Sequence, residues 1–175
     1  MSAPAVYLRQ QIPFASQPFW WVAGRRVELA DLSAVPAGSI AIFRGRNYLL
    51  TDSQLFIRSR ASLDELGAQR LLGQLMRVRV EALVAKYEKV FGVPVARVTI
   101  RPMRSRWGSC RPDRRTMTLN LHLVHLADEL LEYVVIHEFV HFFARGHGKD
   151  FYALLQQHCP DWKTRRQMLN ASIGG

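Results

Sequence analysis

HEFVHFFARGH, residues His137–His147, places three of the chain's six histidines and a glutamate within eleven residues. Its surroundings, ADELLEYVVIHEFVHFFAR (127–145), are apolar almost all round, the pattern of a helix that belongs in a core rather than on a surface. Groups that resist burial need a reason to be there, because an unpaired buried carboxylate costs several kcal/mol or is forced neutral. A metal ion supplies one. His137 and His141 are four residues apart, so on a helix they stand on one face a turn apart. From there two imidazoles reach one zinc ion at about 2.0–2.1 Å. Glu138 lies beside that face, able to meet a water on the metal without taking a coordination position. H-E-x-x-H on a helix carries the zinc-hydrolase signature for this reason, and it arises by chance in only about 1% of sequences of this composition.

A catalytic zinc keeps three protein ligands and one open position. His147 is the best third candidate, but a continuing helix would carry it about 9 Å along the axis and roughly 240° around it. The chain must therefore leave the helix and fold back. Gly146 is the residue suited to the left-handed conformation that such an ending needs.

Outward from this stretch the periodicity changes twice. RVTIRPM (97–103) and TMTLNLHL (116–123) read as strands joined by a long turn, RSRWGSCRPDRR. Strand 116–123 would offer its edge to an extended peptide. Upstream, residues 63–91 show helical spacing (Leu71, Leu72, Leu75, Val78, Leu83, Val84), opened by a Ser62/Glu65 capping box and closed by Gly92 and Pro94. Gly67 and Gly73 weaken the expectation of one unbroken helix. Two shorter helices, 149–159 and 161–172, finish the chain around Pro160. Residues 1–60 read as a β-rich segment of short strands and turns, with SIAIF (39–43) and NYLLT (47–51) flanking Arg-Gly-Arg, and LFIRS (55–59) as a third strand. The domain expectation is a β-rich segment over 1–60 and a catalytic domain over 61–175.

Composition bounds the rest. The chain has 175 residues, 49% of them hydrophobic and 22% charged, as expected of a globular protein. No run approaches the ~18 apolar residues of a membrane span. The start lacks the basic-then-apolar pattern of a signal peptide, and Cys110 and Cys159 fit reduced thiols, so a cytoplasmic location is expected. The net charge of +10 is mostly arginine, with seven arginines between Arg97 and Arg115 against one acid, Asp113. Such a patch is either a solvated surface or a contact for DNA or another acidic partner.

RSRWGSC (104–110), MTLNLHL (117–123) and ELLEYVVIHEFVHFFARGHGKDFY (129–152) together resemble the YgjP-like metallopeptidase family, whose core is similar to that of the SprT and Spartan-type proteases. The resemblance covers about residues 97–165 and implies an α+β, zincin-like core with the active-site helix packed on a small antiparallel sheet. It also implies one zinc ion held by His137, His141 and His147, Glu138 as general base, and a peptide or protein substrate. Gly148 and Phe139 depart from the family's usual residues. Metzincins share the ligand spacing but have glycine where this chain has Ala144, so they are not favoured. Candidates for oxyanion or substrate contact are Arg106, His122 and Tyr152. Trp107 either packs over the sheet or stacks on substrate. Three alternatives stand beside this reading. Cys110 could be the third ligand, as in peptide deformylases, or the chain could be a nucleic-acid-binding protein, or a DNA-associated protease, working through Arg97–Arg115.

Overall fold

The computed structural model describes residues 14–17, 19–39, 41, 43–45, 48–58 and 62–172. Its architecture is mixed α and β. Five short strands form the first sheet: β1 (Phe19–Val22), β2 (Arg25–Asp31), β3 (Phe43–Gly45), β4 (Tyr48–Leu50) and β5 (Gln54–Ile57), in the order β1-β2-β5-β4-β3. The expected hairpin is β3–β4, pairing Gly45 with Tyr48. Its turn, 46–47, and parts of the expected strand 39–43 lie outside the described residues.

β1 and β2 are joined by Ala23 and Gly24, both at positive φ (52° and 74°), as the mirror-image turn of a tight hairpin requires. That turn matters to the site. Ala23 and Gly24 donate to the carbonyls of Val124 and His125 at 2.9 and 3.1 Å. A side chain at Gly24 would sit 3.2 Å from the Cβ of Ala127, the residue that opens the central helix. The first sheet thus fixes where that helix starts.

Helix α1 (Glu65–Phe91) is unbroken over 27 residues and ends at Gly92 in the left-handed conformation. Its cap differs from expectation: the Asp64 carboxylate accepts from the Gly67 amide at 2.7 Å, so Asp64 replaces Ser62 as N-cap. A Cβ on Gly67 would lie 2.9 Å from that carboxylate oxygen, so this glycine admits the cap rather than weakening the helix. The buried stripe runs through Ala68, Leu71, Leu72, Leu75, Met76, Arg79, Val80, Val84 and Tyr87, whereas Val78 is 44% exposed. Arg79, buried within this stripe, is fully engaged: it donates to Asp128 at 2.7 Å and to the carbonyls of Val124 and Leu126.

The second sheet contains β6 (Arg97–Arg101), β7 (Gly108–Arg111) and β8 (Thr116–Asn120), in the order β6-β8-β7. Here three expectations are corrected. The long turn holds a strand of its own, β7; residues 121–125 form a 3-10 turn instead of extending the strand; and the sheet is mixed, β7 antiparallel but β6 parallel to β8. A strand of four residues inside a run of arginine and glycine shows too little alternation to be read from sequence. The consequence reaches the site. β8 is the middle strand and offers no edge, whereas β7 is an edge strand.

Helix α2 (Asp128–Val140) is buried on nearly every side, as its sequence demands, packed between α1, the terminal helices α3 (Lys149–His158) and α4 (Trp162–Ala171), and β7. One apolar cluster runs from Phe14 and Trp20 through α1 and α2 to Leu155 and Leu169, joining both halves of the chain.

His125 lies in that interior, its Nδ1 2.6 Å from the Trp21 carbonyl, and burial lowers its pKa to about 4. The unfolded chain takes up a proton near 6.5 while the folded one resists until about 4, so stability falls as pH drops through this window, by up to about 3 kcal/mol. Urea unfolding at pH 7, 6 and 5 should show the decline, with a shallower slope in His125→Gln. Equal slopes would remove His125 from the explanation.

Candidate metal centre and active-site cleft

α2 ends five residues earlier than the apolar run suggests. His141 is its C-cap, and Phe142, Phe143 and Ala144 turn back on the carbonyls of Phe139 and Val140. Gly146 then adopts φ 72°, and the chain returns His147 to the helix face. The ring of His147 is centred 5.0 Å from that of His137 and 4.9 Å from that of His141, which are themselves 4.9 Å apart. The expected fold-back is present.

The donor set suits a metal. One nitrogen from each of the three rings lies within 4.8 Å of the others, and Nε2 of His137 and His147 are 3.0 Å apart. Two lone pairs aimed at one point repel unless a proton or a cation lies between them, and tetrahedral Zn–N bonds of about 2.0–2.1 Å set nitrogens about 3.3 Å apart. His141 Nδ1 faces the Ala144 carbonyl at 3.3 Å, which fixes the tautomer and leaves Nε2 free for an ion. Burial lowers the pKa of His137 to about 3 and also lowers that of His141, so both rings are neutral, as ligands must be.

Glu138 is 4% exposed, and its Oε2 has no partner among the described residues. Burial pushes its carboxyl up to about 8, opposed by the positive charge of Arg106. A cation at the imidazoles is what such an orphaned oxygen lacks.

Several residues that shape the site escaped sequence reading. Gly108 on β7 faces Glu138 so closely that a Cβ there would come within 2.9 Å of the carboxyl carbon. Glycine inside a strand often marks such an approach, which was the available signal. Asn120 pins the loop above the helix. Its side chain accepts from the Met103 amide and donates to the carbonyls of Met103 and Arg106, while its backbone amide donates to Trp107. Phe151 on α3 lies 4.6–4.8 Å, ring centre to ring centre, from all three histidines. Tyr133, one turn before His137, lines the cleft, and burial pushes its phenol up to about 12, leaving it a hydroxyl donor at neutral pH.

Phe151→Ala should cost about 3–5 kcal/mol in urea unfolding and weaken metal binding about 10–100-fold in competition with a chelating dye. Phe151→Leu, which keeps most of the volume, isolates the second effect. Unchanged metal affinity in both variants would deny the ring its supporting role.

Above the imidazoles lies an open cleft of about 720 Å³. Arg106 and Trp107 line it, and the indole Nε1 of Trp107 is buried without a partner among the described residues. His122 and Tyr152 do not line it. His122 packs on Phe14, with ring centres 5.5 Å apart, while Tyr152 stacks on Trp162 at 4.8 Å and accepts from Arg166 at 3.3 Å. Cys110 reaches the cleft wall, but it is not part of the imidazole group, and burial pushes its thiol up to about 12, far from a thiolate ligand.

The sequence profile of the YgjP-like metallopeptidase domain matches residues 40–172. This chain belongs to the YgjP-like metallopeptidase family. The match begins well upstream of residue 97, where the motif resemblance starts, and takes in strands β3–β5. No curated protein matches the chain. Two solved structures are similar in part. The metallopeptidase zymogen abylysin of Pyrococcus abyssi is 24% identical, with 52% of this chain and 93% of that one covered and a TM-score of 0.47. The zymogen jannalysin of Methanocaldococcus jannaschii is 22% identical, with 52% and 96% covered and a TM-score of 0.45. Membership of the family implies a metal and a peptide or protein substrate. Among the described residues, no helix is long and apolar enough to cross a membrane.

Proposed function

We propose that this chain is a zinc-dependent peptidase in which His137, His141 and His147 hold one ion and Glu138 is the general base. The supporting observation is the juxtaposition of a buried, unpartnered carboxylate with three converging neutral imidazoles under an open cleft. A zinc ion held there supplies a Lewis acid that polarises the scissile carbonyl and lowers the pKa of a coordinated water to about 7.

The chain's own residues do the rest. Glu138 accepts a proton from the attacking water at its carboxylate and passes it to the leaving amine. Gly108 keeps that carboxylate uncrowded. The edge strand β7, whose Gly108, Ser109 and Cys110 line the cleft, pairs with the extended backbone of the substrate. Arg106, the Trp107 indole and the Tyr133 hydroxyl are among the cleft's donors that could serve a developing oxyanion.

Elemental analysis of the purified protein should find one equivalent of zinc, and a chelator should abolish cleavage of an unfolded protein substrate until zinc is returned. Full activity in metal-free protein would overturn the proposal.

A second reading, nucleic-acid contact, is favoured by the exposure of all seven arginines between Arg97 and Arg115. Such binding must weaken steeply as salt rises.

A further inference from the structure

Three arginines from three different elements meet at the cleft. Arg106 precedes β7, Arg145 lies in the turn after α2, and Arg166 stands on α4. None of the three forms an ion pair with an acidic residue among those described. Two buried or half-buried arginines of this chain behave differently. Arg165, the immediate neighbour of Arg166, turns inward to Glu132 and Asp161, each at 2.9 Å, and Arg79 is held by Asp128 at 2.7 Å. Among the described residues, only two acids line the same cleft. Asp113 lies 3.7 Å from Arg114, and Glu138 sits against Gly108 at the imidazoles. Arg166 is held in place by donating to the Tyr152 hydroxyl at 3.3 Å, which leaves the rest of its guanidinium fork unused. The walls therefore carry more positive than negative charge before any metal is added, in a concave site that concentrates the field. Guanidinium groups match carboxylates in shape and charge, two parallel bonds at a time.

We propose that the cleft selects polypeptide segments carrying a carboxylate beside the scissile bond, with Arg145 and Arg166, assisted by Arg106, as the selecting residues. The carboxylate comes from an aspartate or glutamate side chain or from a substrate's C-terminus. This inference rests on the peptidase reading above. A peptide suits the site better than a nucleic acid does, because these arginines line the walls of a cleft bordered by the free edge of β7, which pairs with an extended backbone. A duplex is met instead by an open surface.

The test uses zinc-loaded protein and matched peptides that differ at one position, Glu, Gln or Lys, each made with a free or amidated C-terminus. The Glu peptide should show kcat/KM about tenfold above the Gln peptide at low salt, as expected of one charge-assisted contact, and the gap should narrow as ionic strength rises. If the C-terminus is the source, the free acid outruns the amide instead. Arg145→Gln and Arg166→Gln should each cut the preference about three- to fivefold, while Arg70→Gln on the exposed side of α1 leaves it intact. The same peptides titrated onto Glu138→Gln protein and read by fluorescence anisotropy report selection without turnover. If no peptide is cleaved but the acidic ones still bind best, the selection stands and the peptidase reading falls. Equal handling of Glu, Gln and Lys peptides and of acid and amide, or an unchanged preference in both arginine variants, overturns the inference. So does displacement of the Glu peptide by a single-stranded oligonucleotide at concentrations where free Glu peptide does not compete.

Discussion

Glu138→Gln is expected to retain its metal and lose about 10²–10⁴-fold in kcat/KM, about 3–5 kcal/mol of transition-state stabilisation. The amide has nearly the shape of the carboxylate, so the contact with Gly108 and the packing of α2 survive. What disappears is the capacity to take a proton. The buried Oε2 of Glu138 has no hydrogen-bond partner among the described residues, so little structure depends on its charge. Zinc content measured beside turnover separates the roles: unchanged metal with collapsed kcat/KM identifies the base. Turnover within tenfold of the unsubstituted chain would take Glu138 out of that role.

The second large effect comes from a residue without functional groups. Gly108→Ala places a methyl group within 2.9–3.0 Å of the Glu138 carboxyl and Cγ carbons, closer than real Cβ contacts allow. The atoms it meets are the end of the Glu138 side chain, so the carboxylate must turn away from the position from which it reaches the water. A displacement of about 1 Å at a reacting group can cost about 10²-fold in rate. We expect that loss in kcat/KM with unchanged zinc content, because the three atoms nearest the new methyl all belong to Glu138. Stability should change little, since alanine is tolerated in an edge strand as well as glycine. Activity within twofold of the original would show that Glu138 has room the structure does not reveal.

The helix that carries the site was legible because its signals are local. The i, i+4 spacing of His137 and His141, the apolar surroundings and the need for Gly146 to turn the chain follow from helix geometry, and the structure has all three. Long α1 was legible too, though not its cap, since Ser62 and Asp64 are both good N-caps and only the backbone chooses between them. The second sheet was read less well. Alternation marks a strand but not its neighbours, so nothing local says that β6 runs parallel to β8 or that β7 takes the edge.

By itself, then, the sequence determined a buried helix with two imidazoles a turn apart, a glycine to bring back a third, and a carboxylate between them. Tertiary structure alone decided that β7 presses Gly108 against Glu138, that Phe151 supports all three rings, and that Arg106, Arg145 and Arg166 surround one cleft. The reason is range. Covalent geometry and periodicity act over a few residues, whereas these contacts join segments separated by up to sixty residues and exist only once strand order and helix packing have been settled by burial of the shared core.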